Sequence, residues 1–482
     1  MTTLTAQAAP ARGLDRRLVT LGVVVVLGAI MSIIDATAVN VATRTLAADF
    51  GASIASVQWV LTGYMLGLAA VIPVTGWATE RFGARRVWLT ALLLFLAGSA
   101  LSGLAWSMPA LIAFRVVQGA GGGMIIPVAQ TILAQAAGPS RMGRVMGFIG
   151  LPMLLGSVAG PIVGGLIIST AGWRWIFLAN LPLGAVAVVA ALRLLPRSAT
   201  RPASLDVRGL LLLCGGVTLF VYGTAEAGRP GGLGEPRTWA IIGAAAALLA
   251  LYVPHARHRS ALIDIALFRH RGFAAAAVTN VVVAVALFGV LVLLPLYWQV
   301  VRGHGALATG LLLSPQALGA AVAMPLAGRL TDRLGAGVVV PAGVLLGLIG
   351  TAAYTQLGAD TPVAVLASAL FVLGLGLGAT IMPSMAAAYQ ALPPQLIPRA
   401  TSAINTLQRM GASVGTTALA VILQREISAQ APGVAALGPL PDAARTAVAP
   451  ELAVAFGHAF WIALAIAVAA LLPALLLPRT KA

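Results

Sequence analysis

Residues 147–184 read GFIGLPMLLGSVAGPIVGGLIISTAGWRWIFLANLPLG, two apolar segments joined by a tryptophan-rich turn. Gly156, Gly160 and Gly164 recur at every fourth position, so on a helix they line one stripe. In lipid, such a stripe lets another backbone approach closely, replacing the missing hydrophobic attraction. Gly165 widens it, and Pro161 adds a kink that a membrane helix tolerates when neighbours satisfy the freed carbonyl. A generic small-residue packing face is the plainer reading, since any polytopic protein has several.

The rest of the chain has the same character. Of 482 residues, 60% are hydrophobic and 9% charged, and mean hydropathy is +0.97, which excludes a soluble globular domain. Apolar runs of roughly 20 residues match a bilayer's hydrocarbon core, and their Gly, Ala and Leu content indicates helices rather than alternating barrel strands. The predicted spans are 18–43, 57–76, 87–105, 108–133, 142–169 and 176–195, then 207–225 and 239–253. Six more follow at 273–300, 306–330, 338–357, 362–388, 400–423 and 452–477. This six-two-six pattern divides the chain into a six-helix bundle (1–195), a linker with two additional helices (196–271) and a second six-helix bundle (272–482). The polar N-terminal stretch is read as preceding a retained first helix, not a cleaved signal.

The net charge of +17 raises the question of nucleic acid. With the N-terminus inside, 21 of the 30 Lys and Arg fall in inside segments. Arg44, Arg174, Arg229, Arg237, Arg302, Arg425 and Arg445 fall outside, and Arg115 and Arg409 lie within helices. That is the positive-inside asymmetry of a multi-pass protein with both termini cytoplasmic, so the excess charge is topological and no nucleic-acid partner is expected. Cys214 is the only cysteine, so no intrachain disulfide forms.

Residues 76–86, GWATERFGARR, and 328–337, GRLTDRLGAG, share glycine–acid–Arg–Gly spacing in short turns. They suggest a duplicated unit, the transporter plan with a site between repeats. The 426–451 loop receives no function.

Asp35, about 25 Å along the first span, is the sharpest candidate. An intramembrane carboxylate costs at least ~2.5 kcal/mol by insertion scales and is functional by default. The alternative is a structural Asp paired to an arginine of a neighbouring helix. Arg115, in LIAFRVVQGAGGG, also demands partners at such depth, with Gln118 on the same face; the alternative is a guanidinium satisfied by backbone carbonyls. Arg409 is read as a packing or interbundle charge, and Glu226 as either a solvated loop residue or a cation contact. Substrate-cavity candidates are Asn40, Gln58, Trp59, Tyr64, Gln118, Met153, Glu226, Phe288, Tyr297 and Trp298. An aromatic pocket with a carboxylate suits lipophilic cations, although aromatic residues at span ends also serve as interfacial anchors. No metal-ligand cluster, Walker sequence or catalytic set is present. An enzyme is not expected, and no cofactor beyond a coupling proton.

GSVAGPIVGGL resembles the fifth-helix antiporter motif of the major facilitator superfamily. The WRWIFLANLPLG that follows resembles the signature of its fourteen-helix drug:proton antiporter branch, the EmrB/QacA type. The resemblance implies an all-α major facilitator fold with two central helices inserted. It also implies roles: Asp35 and Arg115 in proton coupling, with Thr37 and Asn40 completing the helix-1 motif, although Ala42, Thr43 and Arg44 depart from it. Gly76, Glu80, Arg81 and Gly83, with Asp332 and Arg333 in the second copy, would form the gate. Glu80 stands where the family commonly has Asp. Gly156, Gly160, Pro161, Gly164 and Gly165 would form the hinge and seal.

The expectation is a monomeric, proton-coupled exporter of lipophilic, cationic drugs in the inner (plasma) membrane, its partners a small-molecule substrate, protons and the bilayer. Export of an anionic or zwitterionic metabolite such as a self-made antibiotic is the alternative. A non-transporting sensor or assembly protein is the different-class alternative.

Overall fold

The computed structural model describes residues 15–197, 200–229, 231–257, 261–431 and 442–479, and among them there is no strand. Among the described residues, twelve helices are long and apolar enough to cross a membrane. They are α1 (Arg16–Ala38), α2 (Ala55–Phe82), α3 (Ala84–Gly103), α4 (Met108–Ala137), α6 (Arg174–Leu194), α7 (Val207–Ala227) and α8 (Pro236–His255), then α9 (Arg271–Val301), α10 (Ala306–Leu334), α11 (Ala336–Gln356), α12 (Val363–Gln390) and α14 (Arg445–Leu475). Two more long helices complete the order: α5 (Met142–Ala171) and the more polar α13 (Ile397–Gln430).

Local chemistry sets the breaks. Pro73 tightens α2 into a 3₁₀ turn over Ile72–Val74. After Pro295, α9 closes in a π-helical turn at Tyr297–Val301. Gly83 and Gly335 occupy the same place in the two repeated turns, with φ of 84° and 83°. A side chain would strain either backbone, so the repeat extends to main-chain conformation.

α1 packs on α5, α4 and α6, and α4 on α2 and α3; in the second half α10 and α11 pack on α12, and α13 on α9 and α14. α5 also crosses to α10 and α12, while α13 crosses to α2 and α4. α7 lies against α2 and α13, and α8 packs on α7. Asp206, which caps α7, bonds His255 at the end of α8, 2.8 Å away, tying the inserted pair together. The outer faces are apolar, with Leu166, Leu211 and Leu472 exposed, as lipid contact requires.

Several expectations shift. The second span runs on from 76 to Phe82, so residues 76–82 of the first repeated turn are helical, as are residues 328–334 of the second. The first helix stops at Ala38, ahead of a turn and a short helix Thr43–Asp49, so it is shorter than 18–43. α13 runs seven residues beyond the expected 423. The final helix begins before the expected 452, at Asp442, so much of the 426–451 stretch is helical; residues 432–441 lie outside the described residues.

Candidate functional site

Asp35 sits three residues before the end of α1 and is fully buried. Its Oδ2 accepts from Arg115 Nη1 at 2.5 Å, and its Oδ1 accepts from Gln118 Nε2 and Asn180 Nδ2, both at 2.9 Å. Arg115 also donates to the Gln118 side-chain oxygen at 2.8 Å and through Nε to the Val60 carbonyl at 3.4 Å. Its guanidinium lies 4.2 Å from the centroid of the Tyr64 ring, and Tyr64 in turn bonds Ser32. Asn180 donates to Ser99 as well, which donates to the Phe177 carbonyl. One carboxylate therefore gathers α1, α2, α3, α4 and α6. Asp35 thus has an arginine partner on a neighbouring helix, whereas Arg115 is held chiefly by side chains: one backbone carbonyl reaches its Nε, and its Nη2 has no hydrogen-bond partner. A buried pair is weak evidence for stability, because desolvation offsets attraction, but removing one partner costs about 3–5 kcal/mol.

The glycine face of α5 divides its work. A Cβ on Gly160 would overlap Thr37 Oγ1, and one on Gly164 would come within 2.8 Å of Ala38, so the stripe beds against α1. Gly143 and Gly147 face α10 instead, where a Cβ would meet the Gly328 and Met324 carbonyls at 2.5 and 2.6 Å. Gly156 makes only ordinary contact with Ile33, Gly165 has nothing near it, and Pro161 is exposed.

Two latches join the halves at the end that carries residues 15 and 479. Glu80 accepts from Arg399 Nε through both oxygens at 3.0 Å, and Gly76 lies against the backbone of Pro398 and Arg399. In the second copy, Asp332 accepts from the backbone N–H of Gly143 and Arg144 at 2.9 and 3.3 Å, and its Oδ2 forms an ion pair with the Arg144 guanidinium, 3.2 Å from Nε. Each half thus offers the acid of its second helix to the arginine near the start of the other half's fifth. Ser402 donates to the Ile72 carbonyl, and Asn405 to Gln130, further securing this end. Gly83 ends α2, while Arg81 and Arg333 are exposed. At the opposite end Trp173 and Arg174 bond Asp49, and Arg302 bonds Thr361, each within its own half, while Thr224 of the inserted α7 bonds Ser413 and Thr417 of α13.

The expected cavity residues scatter. Tyr64 and Gln118 join the Asp35 network. Asn40 and Gln58 are exposed near helix ends. Trp59 stacks on Tyr222 of α7 with centroids 5.6 Å apart, and Glu226 pairs with Arg229 at 2.8 Å. Tyr297 and Trp298 are fully buried in the second half's core, where Tyr297 donates to the Gly358 carbonyl and packs on Phe456. Met153 and Phe288 are half-buried. Arg409 is half-buried on α13, its nearest polar contact Met65 Sδ of α2 at 3.8 Å. Sequence reasoning missed Asn180, Arg144 and Arg399. The last two occupy the third position of their helices, MGR and IPR, the one signal that could have paired them.

The chain belongs to the Major Facilitator Superfamily, whose pattern matches residues 25–416. It is a multi-pass membrane transporter and not an enzyme. The multidrug resistance protein B homolog of Mycobacterium tuberculosis is 42% identical, over 95% of this chain and 90% of that protein. The tetracenomycin C resistance and export protein of Streptomyces glaucescens is 31% identical, over 87% and 78%. Among solved structures, the proton:xylose symporter XylE, at 16% identity with a TM-score of 0.61 over 94% of each chain, shares the fold.

Proposed function

We propose that this protein is a proton-coupled antiporter of the plasma membrane that exports lipophilic drugs by alternating access. The observation that carries this reading is the Asp35–Arg115–Gln118–Asn180 set, a dry carboxylate whose ligands come from two other helices. A proton on Asp35 would cancel the charge that holds Arg115, freeing α1 to shift against α4 and α6. A mobile proton thereby becomes a change in helix packing. Relatives named for multidrug resistance and for antibiotic export support the substrate class.

The latched end is assigned to the cytoplasm, because Arg81, Arg85, Arg86, Arg141 and Arg144 cluster at its turns. Counting α5 and α13 gives fourteen spans, with α7 and α8 as the inserted pair of the EmrB/QacA branch. Cycling to the inward-open state then requires both latches to break while α5 pivots on its two glycine faces. The unit is a monomer in lipid, with a proton as its sole coupling ion.

Lipophilic cations are the first substrate class. A second reading, export of anionic or zwitterionic compounds, is favoured by Arg409. Arg115 balances Asp35, and among the described residues no carboxylate pairs with Arg409, so one positive charge remains between the halves.

In inverted vesicles energised to build a proton gradient, ethidium should dissipate the gradient and enter. Asp35→Asn should abolish both while the protein stays folded. Full export by that variant would sink the proposal. A response confined to anionic dyes would select the second reading.

A further inference from the structure

The cytoplasmic assignment leaves unused a cavity of about 460 Å³ at the latched end. Arg17 of α1, Arg85 of α3 and Arg197 and Arg201 of the 196–206 linker line it, and Gln395 closes it from the second half. The one carboxylate in its wall is Glu80, whose two oxygens are already held by Arg399. Arg85 donates to the Leu192 carbonyl, which offers no countercharge. Among the described residues, no carboxylate lies within ion-pair distance of Arg17, Arg85, Arg197 or Arg201. Guanidinium groups do not discharge, and their forked donors fit phosphate oxygens.

Residues 201–203 of the linker are tied to α2: the Arg201 N–H donates to the Glu80 carbonyl at 2.8 Å, and Trp77 Nε1 to the Ala203 carbonyl at 3.3 Å. Arg201 is thus held beside the first latch, and Arg197 lines the same cavity. The adjoining helix ends expose Phe82, Leu192 and Leu194, an apolar flank suited to acyl chains rather than to a free ion.

We propose that this cavity binds the phosphate-bearing headgroup of an anionic phospholipid, and that the bound lipid reinforces closure of this end. Because Gln395 and Pro398 come from the second half, the cavity is complete only while the halves meet here. A ligand that fits one state shifts the population toward it. The effect on closure rests on the alternating-access reading; the binding itself does not.

The test uses the full chain in nanodiscs of phosphatidylcholine with or without phosphatidylglycerol. Native mass spectrometry counts retained lipid, and spin labels on the two halves, in a Cys214→Ser background, report closure. Wild type should retain phosphatidylglycerol and raise its closed-to-open ratio by about tenfold. Arg197→Gln with Arg201→Gln should lose both effects, and the paired Lys substitutions should keep most of them, separating charge from folding. Equal retention by the Gln pair would overturn the site. Millimolar inorganic phosphate acting alone in phosphatidylcholine would overturn the lipid assignment. Retention without a change in closure would overturn the coupling to the latch and leave the exporter reading intact.

Discussion

The two halves repeat one helical plan and bury different chemistry. In the first, an ion pair and two amides occupy the interior; in the second, the side-chain contact buried between α9 and α12 is neutral, Asn280 donating to Ser384 at 2.9 Å. The latches differ in the same spirit. Glu80 reaches a side chain on α13, whereas Asp332 reaches the backbone at the start of α5, where the helix dipole also favours an anion. The longer Glu arm places its carboxylate on a guanidinium; the shorter Asp holds two peptide groups as well as the Arg144 side chain. Duplication fixed where the acids stand, and divergence decided how firmly each holds.

The largest expected effect tests the interiors. Arg115→Met strands the Asp35 charge and should cost about 3–5 kcal/mol in denaturant unfolding. Asn280→Ala should cost about 1 kcal/mol. Equal losses would break the contrast.

Next come the glycines behind the latches. A Cβ at Gly328 meets the Gly143 carbonyl at 2.6 Å, while one at Gly76 meets Arg399 and Pro398 backbone at 3.0 Å. Gly328→Ala should therefore oppose closure by about 1–3 kcal/mol, and Gly76→Ala by less. Cross-linking yield between the halves at that end reads the difference.

The acids sharpen the comparison further. Asp332→Ala leaves the Gly143 N–H without its acceptor, an expected loss of about 1–3 kcal/mol, and Glu80→Ala, which leaves every backbone group its acceptor, should lose less. Spin-label distances across the closed end would show the order, and its reversal would mean that the side-chain latch dominates.

The smallest effect lies at the start of α1. Asp15 caps the helix through the Leu18 N–H and pairs with Arg141, and these bonds, the first foremost, hold its carboxyl below the ordinary 3.8. A depressed acid stabilises the fold above its unfolded value and loses that contribution as pH falls through the folded one. Wild type should therefore melt slightly above Asp15→Asn at neutral pH, and the two curves should converge as pH drops below 3.8.

The readings that succeeded rested on local properties. Helix length and apolarity follow from composition over twenty residues, and a charge inside a span is conspicuous wherever its partner lies. Two of the aromatic candidates lie in packed core, unreadable for the complementary reason. Tyr297 and Trp298 end an apolar helix near a proline, and nothing within that window distinguishes a cavity wall from the packed core they occupy. For Glu226 the sequence leaves both solvent and substrate open, and the Arg229 that pairs with it follows only three residues later.

By itself the sequence determined a helical membrane protein, its charge asymmetry, the duplicated turns and the two costly residues, Asp35 and Arg115. Tertiary structure alone decided that these two meet across 80 positions, that Asn180 joins them, and that Glu80 finds Arg399 across 319. Burial penalties are set residue by residue and so are written along the chain. The partner that offsets each penalty is chosen by helix packing, where any of several arginines could have served.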